Sequence, residues 1–313
     1  MSTPSLHDDP LWPRTGAWPS RGSLPGGRVA DLAIVGVPTW RTSLSPTGAQ
    51  HTPDAIRDAL RRYSGHSVSL DGATDIVIEE ALRLVDDGNL ADPDTPEGEA
   101  SAIRTLRELA SDTELLISLG GDNAATVPAA LGGFGDNLAT AGLITIDAHH
   151  DLRDGVSNGS PVRRLIQAGL EGTRVVQIGI ADFANSRAYR ERARELGITV
   201  IHRDALHDRT PQDIAHEALA IAGAAGGPVH IDVDVDVCDR SVAPACPASV
   251  PGGLQAHELR RLTRALARDT RVRSLDITEI DATADTADSR TIRLAALLIL
   301  EAATGLIQRK AAQ

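Results

Sequence analysis

A chain of 313 residues with 42% hydrophobic side chains is long enough for one large core and too apolar for intrinsic disorder. Its formal net charge of −12 would repel a phosphate backbone, so nucleic acid is excluded as an expected partner. Nearly all its basic charge is arginine, and Lys310 is the only lysine, which excludes Schiff-base and pyridoxal phosphate chemistry in a core.

Residues 1–30 are rich in Pro, Gly, Ser and Trp and read as an N-terminal arm, with Trp12 and Trp18 as its packing side chains. Residues 31–313 read as a single domain. Short apolar runs at 32–37, 115–119, 143–146, 175–180, 198–201, 229–235 and 272–277 are expected strands. Amphipathic stretches at 53–63, 97–110, 188–196, 211–222, 256–267 and 290–307 are expected helices. The acidic, turn-rich segment 86–99 reads as a surface loop. Apolar strands alternating with helices give the expected fold class: α/β, doubly wound, a mainly parallel sheet with helices on both faces. No apolar run reaches the ~18 residues of a membrane span, and residues 1–12 carry no apolar signal core. Cys238 and Cys246 are too few for a disulfide framework and read as buried thiols, so a cytoplasmic location is expected.

In open parallel sheets, ligands bind beyond the carboxyl ends of the strands. Three such ends carry carboxylates and imidazoles: Asp147-Ala148-His149-His150-Asp151, Asp232-Val233-Asp234-Val235-Asp236, and Asp276-Ile277-Thr278-Glu279. Alternate residues of an extended chain share a face, so Asp147, His149 and Asp151 can converge, as can Asp234 and Asp236. His150 should then point the other way and be an ordinary packed histidine. Crowded carboxylates are costly to desolvate, and a divalent metal pair offsets that cost. A carboxylate-rich, histidine-poor set suits Mn²⁺ better than Zn²⁺. Gly120-Gly121-Asp122-Asn123 closes another strand.

From about residue 31 to the end the sequence resembles the ureohydrolases: arginase, agmatinase and formimidoylglutamase. Gly36-Val37-Pro38 and Pro53-Asp54-Ala55-Ile56-Arg57 resemble the opening strand and first helix, and Gly120-Gly121-Asp122 its Gly-Gly-Asp-His motif. Asp147-Ala148-His149-His150-Asp151 matches Asp-Ala-His-x-Asp. The most specific signature runs from Asp234-Val235-Asp236 through Ala243-Pro244 to Pro251-Gly252-Gly253-Leu254. Its spacing leaves Asp232 where the family has a small polar residue. The resemblance implies two Mn²⁺ ions, with Asp147 and Asp234 bridging. His149 and Asp236 would complete one site, and Asp151 and Asn123 the other. Two cations would lower the pKa of a shared water from ~15.7 toward neutrality. Asp151 would hold that water, and Glu279 would bind the amidinium. A small-molecule amidino substrate and a trimeric or hexameric homo-oligomer are also implied.

Two positions depart from the arginase- and agmatinase-like pattern. Asn123 stands where a His ligand is usual, so one metal site should be looser. Asn158 stands where a His shuttles protons, which leaves it a substrate-binding residue. Both departures resemble the formimidoylglutamase branch, as do Leu152-Arg153 and the 285–296 segment. The expected reaction is therefore hydrolysis of N-formimidoyl-L-glutamate to glutamate and formamide. Its two carboxylates call for arginines, and Arg153, Arg163, Arg164 and Arg290 lie in or beside motif loops. For any one of them the alternative is a surface salt bridge. The competing readings are a guanidino hydrolase releasing urea, and a degenerate ureohydrolase acting as a binding or regulatory protein.

Overall fold

The structure is a computed structural model that describes residues 9–24, 30–69 and 72–312. In chain order its elements are β1 (Ala30–Val37), α1 (Thr52–Leu60), β2 (His66–Val68), β3 (Asp75–Val77), α2 (Ile78–Ala81), β4 (Leu84–Asn89), α3 (Pro96–Ser111), β5 (Thr113–Gly120), α4 (Thr126–Phe134) and β6 (Gly142–Ile146). There follow α5 (Pro161–Ala168), β7 (Val175–Ile180), α6 (Arg187–Glu195), β8 (Thr199–His202), α7 (Pro211–Ala222), β9 (Val229–Asp234), α8 (Ala256–Ala267), β10 (Val272–Thr278) and α9 (Arg290–Ala311).

Eight strands form one sheet in the order β4-β1-β5-β10-β9-β6-β7-β8, and every neighbouring pair is parallel. Parallel neighbours need crossovers, and the intervening helices supply them on both faces. One face is buried under α1, α7, α8 and α9, where Leu32, Ile34, Ile144, Ile231 and Ile277 pack. The other lies under α3, α4, α5 and α6, where Val35, Leu116, Leu143 and Val175 pack. With both faces covered, strands read as unbroken apolar runs, and all eight residues of β1 are buried.

Three expectations are corrected. The segment 86–99 is not all loop: its first residues continue β4, the edge strand beside β1. Leu84 and Val85 supply its buried part, while Asp86 and Asp87 sit at its open edge and pair with Arg57 and Arg21. An edge strand has one neighbour, so two of its six residues can be acidic and it is still a strand. The pattern also missed α4, whose Ala- and Gly-rich sequence hides a small-residue packing face. Thirdly, α9 is long and apolar enough to cross a membrane by length and composition, although most of it is buried against α1 and α8. Of the expected arm, 1–8 and 25–29 lie outside the described residues. Trp18 joins the core and Trp12 is exposed.

The first strand and the last helix are fastened together. Lys310 Nζ at the end of α9 donates to Asp31 Oδ1 (2.5 Å) in β1 and to Glu114 Oε2 (2.9 Å) in β5. Arg83 donates to the other oxygen of Asp31 from its main chain (2.7 Å) and from Nε (2.9 Å).

Candidate metal centre and active site

The four central strands, β5, β10, β9 and β6, end on the same side, and each delivers polar groups there. After β5 the chain makes a close turn: a Cβ on Gly121 would lie 2.1 Å from the Thr39 carbonyl oxygen, so only glycine lets the loop after β1 approach. Asp122 then secures that loop by accepting from Ser43 Oγ at 2.6 Å.

After β6 the chain is not extended, contrary to the alternation argument. Asp147 Oδ1 accepts the His149 main-chain N–H at 2.6 Å, and Asp151 sits at φ 52°, in the left-handed region. Asp234 ends β9 and accepts the Asp236 N–H at 2.9 Å as a short 3₁₀ turn begins. Glu279 follows β10 at φ 61°. Left-handed backbone costs a non-glycine residue roughly 1–3 kcal/mol and clusters at functional sites. Convergence thus comes from turns as well as from alternation.

Two overlapping groups result. Asp147, His149 and Asp236 form one, and Asp147, Asp151 and Asp234 the other; within each, one potential ligand atom per residue lies within 4.8 Å of the rest. Asp147 belongs to both. His149 directs Nδ1 inward, 2.9 Å from Asp236 Oδ2 and 3.4 Å from Asp147 Oδ1. Asp147, Asp234 and Asp236 are at most 2% exposed. Burial, then the charge of Asp236, pushes Asp147 up to about 6. Burial and neighbouring carboxylates hold Asp151 and Asp234 well above the usual range. Burial alone would lower His149, but Asp236 and Asp147 push it up to about 12. One imidazole cannot neutralise so many buried carboxylates. Asp147 Oδ2 is buried with no hydrogen-bond partner. An orphaned carboxylate oxygen facing a carboxylate-rich, one-histidine set fits a pair of divalent cations of the Mn²⁺ type.

Asn123 enters differently from the expected ligand. Its Nδ2 donates to Asp151 Oδ2 at 2.6 Å, and its Oδ1 accepts from Thr126 Oγ1 (2.6 Å) and Thr278 Oγ1 (3.0 Å). Two hydroxyl donors on the oxygen and a carboxylate on the nitrogen fix this amide orientation. To bind a cation through oxygen the amide would have to turn over. Asp232 is no part of either group. It lies in register with Asp276, which His230 Nε2 approaches at 3.1 Å, in a buried polar column beneath the site.

A cavity of about 250 Å³ opens over the cluster. Its wall includes Asp151, Asp234, Glu279, Asn158 and Arg153. Glu279 accepts from the Asn123 main-chain N–H at 3.0 Å; burial, then the charges of Asp236 and Asp122, pushes it up to about 8. Arg153 lies exposed at the rim, folded across Gly159, where a Cβ would be 2.7 Å from its Cδ. The other expected arginines turn elsewhere. Arg163 pairs with Asp154, Arg164 with Glu99, and Arg290 with Asp288; none of the three lines this cavity. Sequence adjacency to motif loops does not fix which way a long side chain leaves, and nearby carboxylates captured all three.

His150 is packed and hydrogen-bonded as expected, with Nδ1 2.7 Å from Gln177 Oε1, and it stays out of both metal groups, although it also borders the cavity. Burial holds it below the ordinary histidine range. Asn185 and Tyr189, beyond the carboxyl end of β7, line the cavity too and were not anticipated. Their only sequence signal is their position after that strand.

A sequence profile of the arginase family matches residues 30–305. The chain belongs to the arginase family. Among its arginase-family relatives, the formimidoylglutamase of Bacillus subtilis (strain 168) is 33% identical over 288 residues, 90% of this chain and 89% of that protein. The formimidoylglutamase of Halalkalibacterium halodurans is 35% identical over 284 residues, 88% of this chain and 87% of that one. The guanidinopropionase of Pseudomonas aeruginosa is 31% identical, covering 80% and 77%. The solved structure of the Bacillus subtilis formimidoylglutamase aligns at a TM-score of 0.86 and 29% identity, over 98% of this chain and 96% of that one. The arginase-like α/β fold is therefore established, and with it a hydrolase of amidine or guanidino C–N bonds.

Proposed function

We propose that the chain hydrolyses N-formimidoyl-L-glutamate to L-glutamate and formamide, with two Mn²⁺ ions held by Asp147, His149, Asp151, Asp234 and Asp236. The observation that carries the reading is at Asn158. Its Nδ2 lies 3.1 Å from both oxygens of Glu279, so an amide that cannot shuttle protons stands beside the amidinium-binding carboxylate. Expelling an alkylamine from a guanidine needs that amine protonated. A formimidoyl carbon bears only hydrogen and one further nitrogen, its amidinium is less resonance-stabilised, and addition of water is easier. A general acid or base is worth roughly 10²–10⁴-fold, enough to decide between the substrates.

The bound metal pair would supply Lewis acidity and a water acidified toward neutral pH. The protein's own groups do the rest. Glu279 accepts two N–H bonds from the amidinium. Asn158 and the Asn123 main chain hold that carboxylate, and the Asn123 side chain holds Asp151. Arg153 at the rim meets a substrate carboxylate. The relatives that are formimidoylglutamases support this choice. The likeness to a guanidinopropionase supports a second reading, a guanidino-acid hydrolase that releases urea. The retained carboxylates argue against a degenerate binding protein. By family resemblance we also propose a trimer or hexamer, measurable by light scattering.

The test is turnover by the Mn²⁺-loaded protein of formimidoylglutamate, agmatine, arginine, guanidinobutyrate and guanidine. Formimidoylglutamate should be favoured by at least ~100-fold in kcat/KM over arginine and agmatine. Urea from a guanidino compound, with no glutamate from formimidoylglutamate, would replace the reading with the second one.

A further inference from the structure

We propose that Arg203 is a buried countercharge to the carboxylate cluster: it supports the metal-free fold and holds down the affinity of the group formed by Asp147, His149 and Asp236 for Mn²⁺. This rests on the metal-pair reading above.

Arg203 directly follows β8 and is only 7% exposed. Its Nη2 donates to the Val237 main-chain oxygen at 3.2 Å. Val237 closes the 3₁₀ turn Val235–Val237, whose middle residue is Asp236. The guanidinium is therefore held one residue along the chain from Asp236. Gly179 in β7 makes room for this approach. A Cβ there would lie 2.5 Å from Val237 Cγ2 and 3.2 Å from the Asp147 main-chain oxygen. The turn that carries Asp236 thus packs between the strand end that carries Asp147 and the buried arginine.

Hydrogen bonding does not account for this placement. The Val237 oxygen already accepts from the Leu254 main-chain N–H at 3.0 Å, and the Cys238 N–H closes the turn on the Val235 oxygen at 3.1 Å. Among the described residues no carboxylate forms an ion pair with Arg203, and its buried Nε has no partner. A guanidinium does not shed its proton, so a full charge is buried on one long bond. The field of the cluster offsets that cost. Burial lowers the pKa of Arg203, and the charge of Asp236 leads those that oppose the fall. The same field acts in the other direction. A fixed positive charge relieves the crowding of Asp147 and Asp236 before a cation arrives, and repels the divalent cation that binds them.

The experiment titrates Mn²⁺ calorimetrically into chelator-treated, full-length wild type, Arg203→Met and Arg203→Gln, and reads thermal midpoints with and without Mn²⁺. Methionine removes both charge and bond; glutamine removes the charge but keeps a neutral donor. Both variants should bind the tighter Mn²⁺ equivalent about tenfold more tightly than wild type, the gain from removing one nearby positive charge. Both should melt below wild type without Mn²⁺, and saturating Mn²⁺ should close most of that gap. A side chain that only packs would leave Mn²⁺ affinity unchanged or weaken it on removal, so either result in the folded variants overturns the inference. Tighter binding by Arg203→Met with wild-type affinity in Arg203→Gln assigns the effect to the bond and overturns it too. Should Arg203→Met not fold, Arg203→Gln decides alone. If neither folds even in saturating Mn²⁺, Arg203 is structural and the inference falls. A wild type that binds no Mn²⁺ instead overturns the metal reading on which it rests.

Discussion

Asn158 Nδ2 sits 3.1 Å from each carboxylate oxygen of Glu279, while Asn158 Oδ1 accepts from the Leu44 main chain at 3.0 Å. The amide thus ties the loop after β1 to the carboxylate proposed to bind the amidinium. Burial pushes Glu279 up to about 8, and the Asn158 bond opposes that rise. Glu279 must be ionised to bind an amidinium. Removing the donor raises its pKa further, so the acid limb of kcat/KM moves to higher pH. Asn158→Ala should be most impaired near pH 7 and regain activity toward pH 9. A pH–rate profile that does not move would show that Glu279 is not the group titrating.

Asp147 contributes to both metal groups, whereas Asp236 belongs to one. Asp147→Ala should lose both equivalents of Mn²⁺ and lower activity beyond the roughly 10–100-fold typical of losing an outer-shell partner. Asp236→Ala should lose one equivalent more readily than two. Elemental analysis after gel filtration, read beside kcat/KM, checks both; equal retention in the two variants would refute the shared position of Asp147.

Asn123 presents its nitrogen, not its oxygen, to Asp151. The group containing Asp151 should therefore bind its ion more weakly than the group containing His149. Asn123→His places a better donor there and should raise the second Mn²⁺ occupancy under limiting metal. Calorimetric titration of both proteins measures this. Two equal, tight sites in the unmodified protein would count against it.

Arg153 is the expected arginine that lines the cavity, and Arg290 is held by Asp288. Arg153→Ala should raise KM about tenfold with little change in kcat, the loss of one charge-assisted bond. Arg290→Ala should leave KM within about twofold. Steady-state kinetics decides, and the reverse pattern would relocate the acid-binding side of the site.

Asp31 is nearly buried between Arg83 and Lys310. Burial alone would raise its pKa, but bonds from those two residues hold it well below the usual carboxylate range. A depressed carboxylate stabilises the fold above its unfolded pKa of ~3.9 and loses that contribution as pH falls through its folded value. Asp31→Asn should cost about 1–3 kcal/mol at pH 7. The gap to wild type should narrow below about pH 4. Urea unfolding across that range tests it; a gap that widens in acid would be the wrong sign.

Much of this was legible in the chain. The seven apolar runs became strands because a sheet covered on both faces is largely apolar, and the acidic clusters lay at strand ends, reaching down to the buried Asp232 and Asp276 inside β9 and β10. Asp147, Asp151, Asp234, Asp236 and Glu279 were found by motif, and the structure gathers them. What was not legible depended on turns and long side chains. That the packed His150 also borders the cavity was not legible, because the alternation stops at Ile146, where β6 ends and the backbone curls toward the left-handed Asp151. Arg163 and Arg290 were assigned inward because pattern cannot see Asp154 and Asp288. Asn123 was read as a ligand by position, and only its neighbours Thr126 and Thr278 reveal which end of the amide faces the site.

The clasp at Lys310 also governs how this protein can be handled. It is the only side-chain amine in the sequence, and two carboxylates that join the first strand to the last helix already hold it. Amine-directed dyes, crosslinkers and activated supports would neutralise that charge and loosen the fastening as they attach. Thiol reagents find only buried Cys238 and Cys246. A cysteine introduced at an open position, such as Arg187 with 90% of its side chain exposed, would give a handle that spares both.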